Sequence, residues 1–235
     1  MSSAGNTFEF VAHDGKFRTI LLFGMPGSGK GTQGKVLDQL PDLVHVSMGD
    51  VFRKIPRFGK LGAEIDKYTS VGKMVPDDLT MRIFERHVRI LELQEFFVPG
   101  EQTLILDGLP RTYAQAQMLD RLLDVVQIFH LKIEDKQLAR KRLKARALIE
   151  GRLDDMSDEV INRRLNTYYA ETYETLSFYN PELIYDIEAG QPMINVLRDI
   201  AIRLAEVKGR LLAERQAHAE SQAQAPSPVA VDANR

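Results

Sequence analysis

Short apolar runs recur along the chain, separated by segments with helical spacing. Thr19–Phe23, Leu43–Val46, Thr103–Asp107, Val125–Leu131 and Leu183–Ile187 are rich in Val, Ile, Leu and Phe and too short to be helices. They predict strands, the first three of them buried. Between them, Val36–Leu40 reads as a helix stopped by Pro41, and Val51-Phe52-Arg53 starts another. Pro76-Asp77-Asp78 opens a helix with acids in its first turn, where the helix dipole favours them. Its apolar face carries Leu79, Ile83, Val88 and Leu91. Thr112 caps a further helix, residues 135–149 form a very basic one closed by Gly151, and Ser157-Asp158-Glu159 begins the next. Residues 192–213 are amphipathic through Ile194, Leu197, Ile200, Leu204 and Leu211. Strands alternating with helices predict an α/β fold whose parallel sheet is covered on both faces.

The remaining segments read differently. Residues 54–75 are mixed, polar and glycine-containing, and predict a small mobile insertion. Phe8–Ala12 alternates and runs into His13-Asp14-Gly15-Lys16, the pattern of an additional strand and turn. Residues 1–6 and the Ala-, Gln-, Ser- and Pro-rich tail, 215–235, predict disorder.

Composition narrows the chemistry. The chain has 235 residues, 44% of them hydrophobic, enough for one large domain with a real core. A formal net charge of −2 offers no general attraction for nucleic acid or a membrane surface, and neither is expected as a partner. The absence of cysteine excludes disulfides, thiolate metal sites and a cysteine nucleophile, and fits a cytoplasmic location. No apolar run approaches the ~20 residues of a membrane span, and no signal-like apolar core predicts export.

The densest chemical signal is Gly24-Met25-Pro26-Gly27-Ser28-Gly29-Lys30-Gly31-Thr32-Gln33-Gly34. A strand, a glycine-rich turn, a lysine and a helix make a phosphate cradle. Glycines let backbone N–H groups approach the oxygens, and the lysine adds a full positive charge to the helix N-terminus. Gly24 to Lys30 fit the phosphate-loop pattern, but Gly31 stands at its hydroxyl position and Thr32 supplies the hydroxyl one residue later. Gly29–Gly34 also fits a dinucleotide fingerprint, with Asp50 at about the ~20-residue offset of a ribose-binding acid. Lys30 inside that fingerprint favours a nucleoside triphosphate. A glycine-rich turn without a ligand is the third reading.

Ligands of open α/β sheets bind beyond the carboxyl ends of the strands. That rule places Gly24–Thr32, Ser47–Arg53 and Asp107–Arg111 along one crevice. Asp107 ends an apolar strand, where it suits a position near Mg²⁺ or a turn cap. An acceptor hydroxyl would want a general base. A phosphate acceptor is already ionised and wants cations instead. Arg53, Arg111, Arg146, Arg152 and Arg164 are placed to serve as phosphate clamps, because a guanidinium fork matches phosphate oxygens. Arg142 and Arg163 read as solvated positions. His45 and His130 lie in strands and read as packed core, His87 and His218 as surface, and Tyr168, Tyr169, Tyr173 and Tyr179 as packing.

Gly24-Met-Pro-Gly-Ser-Gly-Lys-Gly-Thr-Gln33, Ser47-Met-Gly-Asp-Val-Phe-Arg53, Gly72-Lys-Met-Val-Pro-Asp77 and Leu106-Asp-Gly-Leu-Pro-Arg-Thr112 with Gln115 together resemble the adenylate kinases, within the nucleoside monophosphate kinase family. Gly151-Arg-Leu-Asp-Asp155 followed by Arg164-Leu165 extends the likeness, which runs from about Arg18 to Leu212. The resemblance implies a P-loop NTPase-like three-layer α/β/α fold with a five-stranded parallel sheet. A kinase domain at 18–214 would follow an N-terminal extension, 1–17. It would carry a monophosphate-binding insertion at about 47–77 and a short lid at about 147–156, too short for zinc ligands. The implied reaction is reversible transfer of the γ-phosphoryl group of Mg-ATP to AMP, giving two ADP, by a monomer.

By the same resemblance, the triphosphate would meet Gly27, Ser28, Gly29, Lys30, Gly31, Thr32 and Arg146. The monophosphate nucleotide would meet Met48, Arg53, Val75, Gly108, Arg111, Gln115, Arg152 and Arg164, with Gln115 on its base. Lys30, Arg111, Arg146, Arg152 and Arg164 would surround the transferring group. Asp107 would hold Mg²⁺ through water, with Thr32 a second contact, and Asp154 and Asp155 would orient the lid arginines. Two positions depart from the family: Met48 replaces its usual Thr near the acceptor base, and Leu109 its usual aromatic residue. The lost hydroxyl keeps UMP and CMP open as acceptors beside AMP. An inert nucleotide-binding module is the other alternative.

Overall fold

A computed structural model describes residues 16–151 and 157–223. Its centre is a parallel sheet of β1 (Phe17–Gly24), β2 (Leu43–Ser47), β3 (Thr103–Asp107), β4 (Leu123–Lys132) and β5 (Ile184–Glu188), in the order β2-β3-β1-β4-β5. Every residue of β3 is buried, as the uninterrupted apolar run predicts. Side-chain alternation divides the core in two. Leu21, Phe23, Leu104 and Leu106 join one apolar cluster, and Ile20, Leu22 and Ile105 join the other. Helix α4 (Asp77–Leu93) covers the first with Leu79, Ile83, Phe84 and Val88. Helices α6 (Lys136–Glu150), α7 (Asp158–Thr167) and α8 (Met193–Ala223) cover the second with Leu143, Ile161, Leu165, Ile200 and Leu204. The result is the three-layer α/β/α arrangement that the sequence implies.

The order also sets where a ligand can sit. The chain leaves β1 toward β2 on one side and leaves β3 toward β4 on the other. The connections therefore part between β1 and β3, which are neighbours in the sheet. Such a divergence opens a crevice at the strands' carboxyl ends. Here those ends are Gly24 and Asp107.

Several elements differ from the sequence expectation. Helix α1 spans Lys30–Leu37, so it begins at the cradle itself and not at Val36. Gly31 and Gly34 hide its periodicity. Gly34 leaves room for His45, since a Cβ there would lie 2.3 Å from its Nε2 and would push the ring aside. The polar stretch 54–75 contains a further helix, α3 (Lys60–Thr69), after α2 (Met48–Lys54). Ile194 is exposed, while Val196 and Val207 complete the buried stripe of α8. Helix α8 also continues to Ala223, through the first part of the predicted disordered tail. Residues 213–223 are mostly Ala, Gln, Glu and Arg, whose helix propensity carries the helix past its last apolar contact. The strand expected at Phe8–Ala12 lies outside the described residues.

Helix ends follow local chemistry. The hydroxyl of Ser47 accepts from the Asp50 N–H at the start of α2. Thr112 accepts from the Gln115 N–H at the start of α5 (Tyr113–Asp120), and Asp135 from the Gln137 N–H before α6. Gly151 closes α6 at φ 62°.

Candidate active site

The cradle is shaped by close approach of backbone. Gly24 has φ +144°, and a Cβ there would come 2.5 Å from the Leu131 carbonyl oxygen. Gly27 has φ +87°, and a Cβ would come 2.6 Å from the carbonyl oxygen of Ala139 on α6. Both positions accept only glycine. Gly29 is the left-handed residue from which α1 starts. Lys30 reaches back over the turn, donating from Nζ to the carbonyl oxygens of Gly24 (2.5 Å) and Met25 (3.2 Å). The ammonium thus rests on the loop that it caps.

Lys30 sits in a strongly cationic surround. Burial lowers its pKa to about 8 from the ordinary 10.5, against the opposing pull of Asp107, and Arg111, Arg146 and Arg164 lower it further. Arg111 is treated similarly. Burial and the nearby Arg164 and Arg53 lower its guanidinium to about 10, with Asp107 again opposing. One carboxylate therefore faces an excess of positive charge. A site of this kind lacks anions, and a polyphosphate would supply them.

The three predicted loops do line one crevice. Pro26 and Lys30 come from the cradle, Gly49 and Arg53 from the β2–α2 corner, and Gly108, Pro110 and Arg111 from the β3–α5 corner. Val75, Gln115 and Arg164 line it as well. Asp107, 8% exposed, stands level with Leu22 of β1, and its Oδ2 would lie 3.5 Å from a Cβ at Gly31. The hydroxyl position of the strict phosphate-loop pattern thus faces that carboxylate. Arg53 pairs with Asp50 at 2.5 Å, which gives Asp50 a role other than the ribose-binding acid of a dinucleotide site. Thr32 is exposed on α1, and Ser28 is buried beneath the loop.

Some predicted residues stand elsewhere. Met48 is 1% exposed, packed in the core beneath the crevice and not along its wall. Leu109 is likewise a core residue. Arg152, Asp154 and Asp155 lie outside the described residues, as does the lid from residue 152 to 156. Arg142 is part-buried and not a solvated position, while Arg163 is partly solvated, its side chain 38% exposed, but held by specific contacts. Arg142 donates to the carbonyl oxygens of Ala189 (2.7 Å), Gly190 (3.5 Å) and Gln191 (3.3 Å), fastening the loop after β5 to α6. Arg163 donates to the Val71 carbonyl oxygen at 2.6 Å and pairs with Glu159, joining α7 to the insertion. The contacts with Ala189, Gly190, Gln191 and Val71 have no local sequence signal, whereas the Glu159 pair is the i,i+4 spacing within α7.

Of the histidines and tyrosines expected to pack, His130 and Tyr168 are buried, His45 and Tyr179 are half-buried, and Tyr169 and Tyr173 are exposed. His130 is buried, with Nδ1 2.8 Å from Asp186 and Nε2 3.0 Å from the Tyr168 hydroxyl. Burial lowers the pKa of His130. His87 is half-buried where the sequence suggests a surface position.

Residues missed from sequence also reach the crevice: Arg57 and Lys73 from the insertion, Thr80 from α4, and Tyr168 and Thr172 beyond α7. Thr80 brings a hydroxyl to the wall, donating to the Val75 carbonyl oxygen at 3.3 Å. Asp77, read above as a helix-dipole acid, accepts from Gln115 Nε2 at 2.6 Å and from the Thr112 hydroxyl at 3.0 Å. Only its place on the first turn of α4 was legible.

Comparison with known proteins agrees with this geometry. The family model described as Adenylate kinase matches residues 22–184. The chain is 36% identical over 197 residues to an adenylate kinase of Cyanothece sp. (strain PCC 7425), covering 81% of this chain and 96% of that one. It is 34% identical over 198 residues to an adenylate kinase of Flavobacterium psychrophilum, covering 82% and 98%. A relative from Micrococcus luteus is 37% identical over 167 residues, covering 68% and 77%. The matched span includes the cradle, the insertion, Asp107-Gly108-Leu109-Pro110-Arg111 and Arg164, and on that basis the chain belongs to the adenylate kinase family.

Proposed function

We propose how this chain divides the work of its family's reaction, the reversible transfer of a phosphoryl group from ATP to AMP. The observation that carries the assignment is the convergence of Lys30, Arg111 and Arg164 on one crevice, with the charge of Arg146 also acting on Lys30 and Asp107 as the opposing acid. Two polyanionic substrates repel each other, and this cationic lining is what can hold them together. The N–H groups of Gly27 to Thr32 and the Lys30 ammonium take the β- and γ-phosphates. Arg146 takes the triphosphate from α6. Arg53 and Arg111 grip the monophosphate, and Arg164, with Arg152 from the lid, meets the group in transfer.

The acceptor oxygen on the AMP phosphate is already ionised, so no general base is required. It forms a bond to the γ-phosphorus while the bond to the β–γ bridging oxygen breaks, leaving ADP on both sides. Arginine and lysine charge stabilises the oxygens of the group in flight. Closure of the insertion and the lid, with Asp154 and Asp155 orienting the lid arginines, excludes water that would otherwise take the phosphoryl group.

Mg²⁺ fits this donor set. Among the described residues no cluster of three or more metal-binding side chains exists, and Asp107, at the end of β3, is the acid whose charge acts on Lys30. A small hard cation that keeps its waters and draws on substrate phosphates needs only one or two carboxylates. Asp107 would hold it through water, with Thr32 at the helix start, and the ion would neutralise part of the triphosphate charge. No helix among the described residues is long and apolar enough to cross a membrane. The proposal is of a cytoplasmic monomer acting on free nucleotides, and the net charge of −2 offers no general attraction for nucleic acid.

A coupled ADP-formation assay with AMP, UMP, CMP, GMP and dAMP tests the acceptor. The highest kcat/KM is expected with AMP. A strong preference for UMP or CMP would overturn the assignment, and ATP binding without transfer to any of them would leave only a binding module.

A further inference from the structure

Gln115 is 2% exposed, lines the crevice, and has both ends of its amide engaged. Oε1 accepts the backbone N–H of Arg111 at 2.7 Å, and Nε2 donates to Asp77 Oδ1 at 2.6 Å. The other Asp77 oxygen accepts the Thr112 hydroxyl at 3.0 Å, and that hydroxyl accepts the Gln115 backbone N–H at 3.1 Å. These bonds form a ring that ties the first residue of α4 to the start of α5, across 38 residues of chain.

A glutamine amide and its flipped form have nearly the same shape, so partners decide which is present. Here the partners are one-way groups. A backbone N–H only donates, and an ionised carboxylate only accepts. Flipping Gln115 would set nitrogen against N–H at one end and oxygen against carboxylate at the other. We propose that Asp77 is a positioning residue that fixes the amide sense of Gln115 and so selects the purine the crevice accepts. The proposal rests on the reading that Gln115 faces the acceptor base.

The chemistry follows from what remains on the amide. Its oxygen has a second lone pair and its nitrogen a second hydrogen. One acceptor and one donor are left for a ligand. Adenine presents a ring acceptor, N1, beside an amino donor at C6, which complements that pair. Hypoxanthine and guanine present a ring N–H beside a C6 carbonyl, which complements only the flipped amide. A fixed amide therefore separates 6-aminopurines from 6-oxopurines. Asp77 contributes to that separation without touching the base.

Asp77→Asn is the test. Asparagine at 77 can donate or accept, so the flipped Gln115 is no longer penalised at that end. The ratio of kcat/KM for AMP to that for IMP should fall about tenfold, through a higher KM for AMP and a gain with IMP, without a matching change in KM for ATP. Both substrates are measured on one preparation, so the ratio is independent of how much protein is folded. Gln115→Ala is run beside it. If Gln115→Ala lowers the ratio and Asp77→Asn does not, the positioning role of Asp77 is overturned. If Gln115→Ala itself leaves the ratio unmoved, the reading that Gln115 faces the base fails, and the proposal falls with it. A fall in both variants supports it.

Discussion

The two ends of the crevice are built differently. At the proposed triphosphate end the groups in place are backbone N–H donors shaped by Gly24, Gly27 and Gly29, with one half-buried lysine lying over them. At the monophosphate end they are side chains held by other side chains: Arg53 by Asp50, and Gln115 by Asp77 and Arg111. The first end depends on local conformation and close approach. The second depends on contacts between distant parts of the chain. The cradle should therefore fail abruptly when its single charge is lost, and the acceptor end should fail by degrees and selectively.

Lys30→Met is the most severe way to break this contrast. Methionine keeps the stem and removes the charge, so turnover should fall roughly 10²–10³-fold or more. The fold should survive, because a cation that burial has pulled to about 8 is not holding the structure together. Steady-state rates and a thermal melt, taken together, check both halves. Turnover close to the parent's would remove Lys30 from its assigned role.

Arg111→Ala probes the other end, and its effect should be smaller and one-sided. A guanidinium that loses a charged phosphate contact costs about 1.5–3 kcal/mol, or roughly 10–100-fold. The loss should fall mainly on kcat/KM for AMP, because Arg111 extends from the β3–α5 corner while the proposal gives ATP to the cradle. Equal losses for both substrates would show that the two ends are one electrostatic unit and not two.

The same contrast explains what the sequence reveals. Gly24, Gly27, Gly29 and Lys30 act through the backbone conformations that their own spacing creates, so the cradle is legible as a string. β1, β3 and β4 are legible because both faces are covered, which makes each a largely apolar run, whereas β5 at the sheet edge is mostly exposed. The rule of carboxyl ends then brings three loops together without any coordinates. Contacts across the fold have no such trace. Arg142 looks solvated on a basic helix, yet it fastens three carbonyl groups nearly fifty residues away. Asp77 looks like a dipole acid because its partners, Thr112 and Gln115, belong to another element. Met48 is the reverse case. The resemblance places it at the base, and packing places it in the core. Helix α1 begins before its apolar pattern does, because Gly31 and Gly34 have the local character of loop, and Gly34 leaves room for the ring of His45.

The smallest expected effect is a proton count, and it isolates the cradle from the acceptor end. In an unfolded chain the Lys30 amine titrates near its ordinary 10.5, and in the folded, nucleotide-free protein near 8. Between those values the unfolded state holds more protons than the folded one, so the Lys30 contribution makes stability rise with pH across that window. A bound triphosphate replaces the missing countercharge and raises the amine again. Above about pH 8 the complex then keeps a proton that the free protein has lost. ATP binding should take up about half a proton at pH 8 and approach one as pH rises. Its affinity should weaken over the same range. Arg111, lowered only to about 10, stays protonated through most of it. Titration calorimetry in buffers of different ionisation enthalpy measures the uptake directly. AMP alone, held at the other end, should take up less than ATP. Lys30→Met should abolish the pH-dependent part, and persistence of that uptake in the variant would locate the shifted group elsewhere and dissolve the distinction between the two ends.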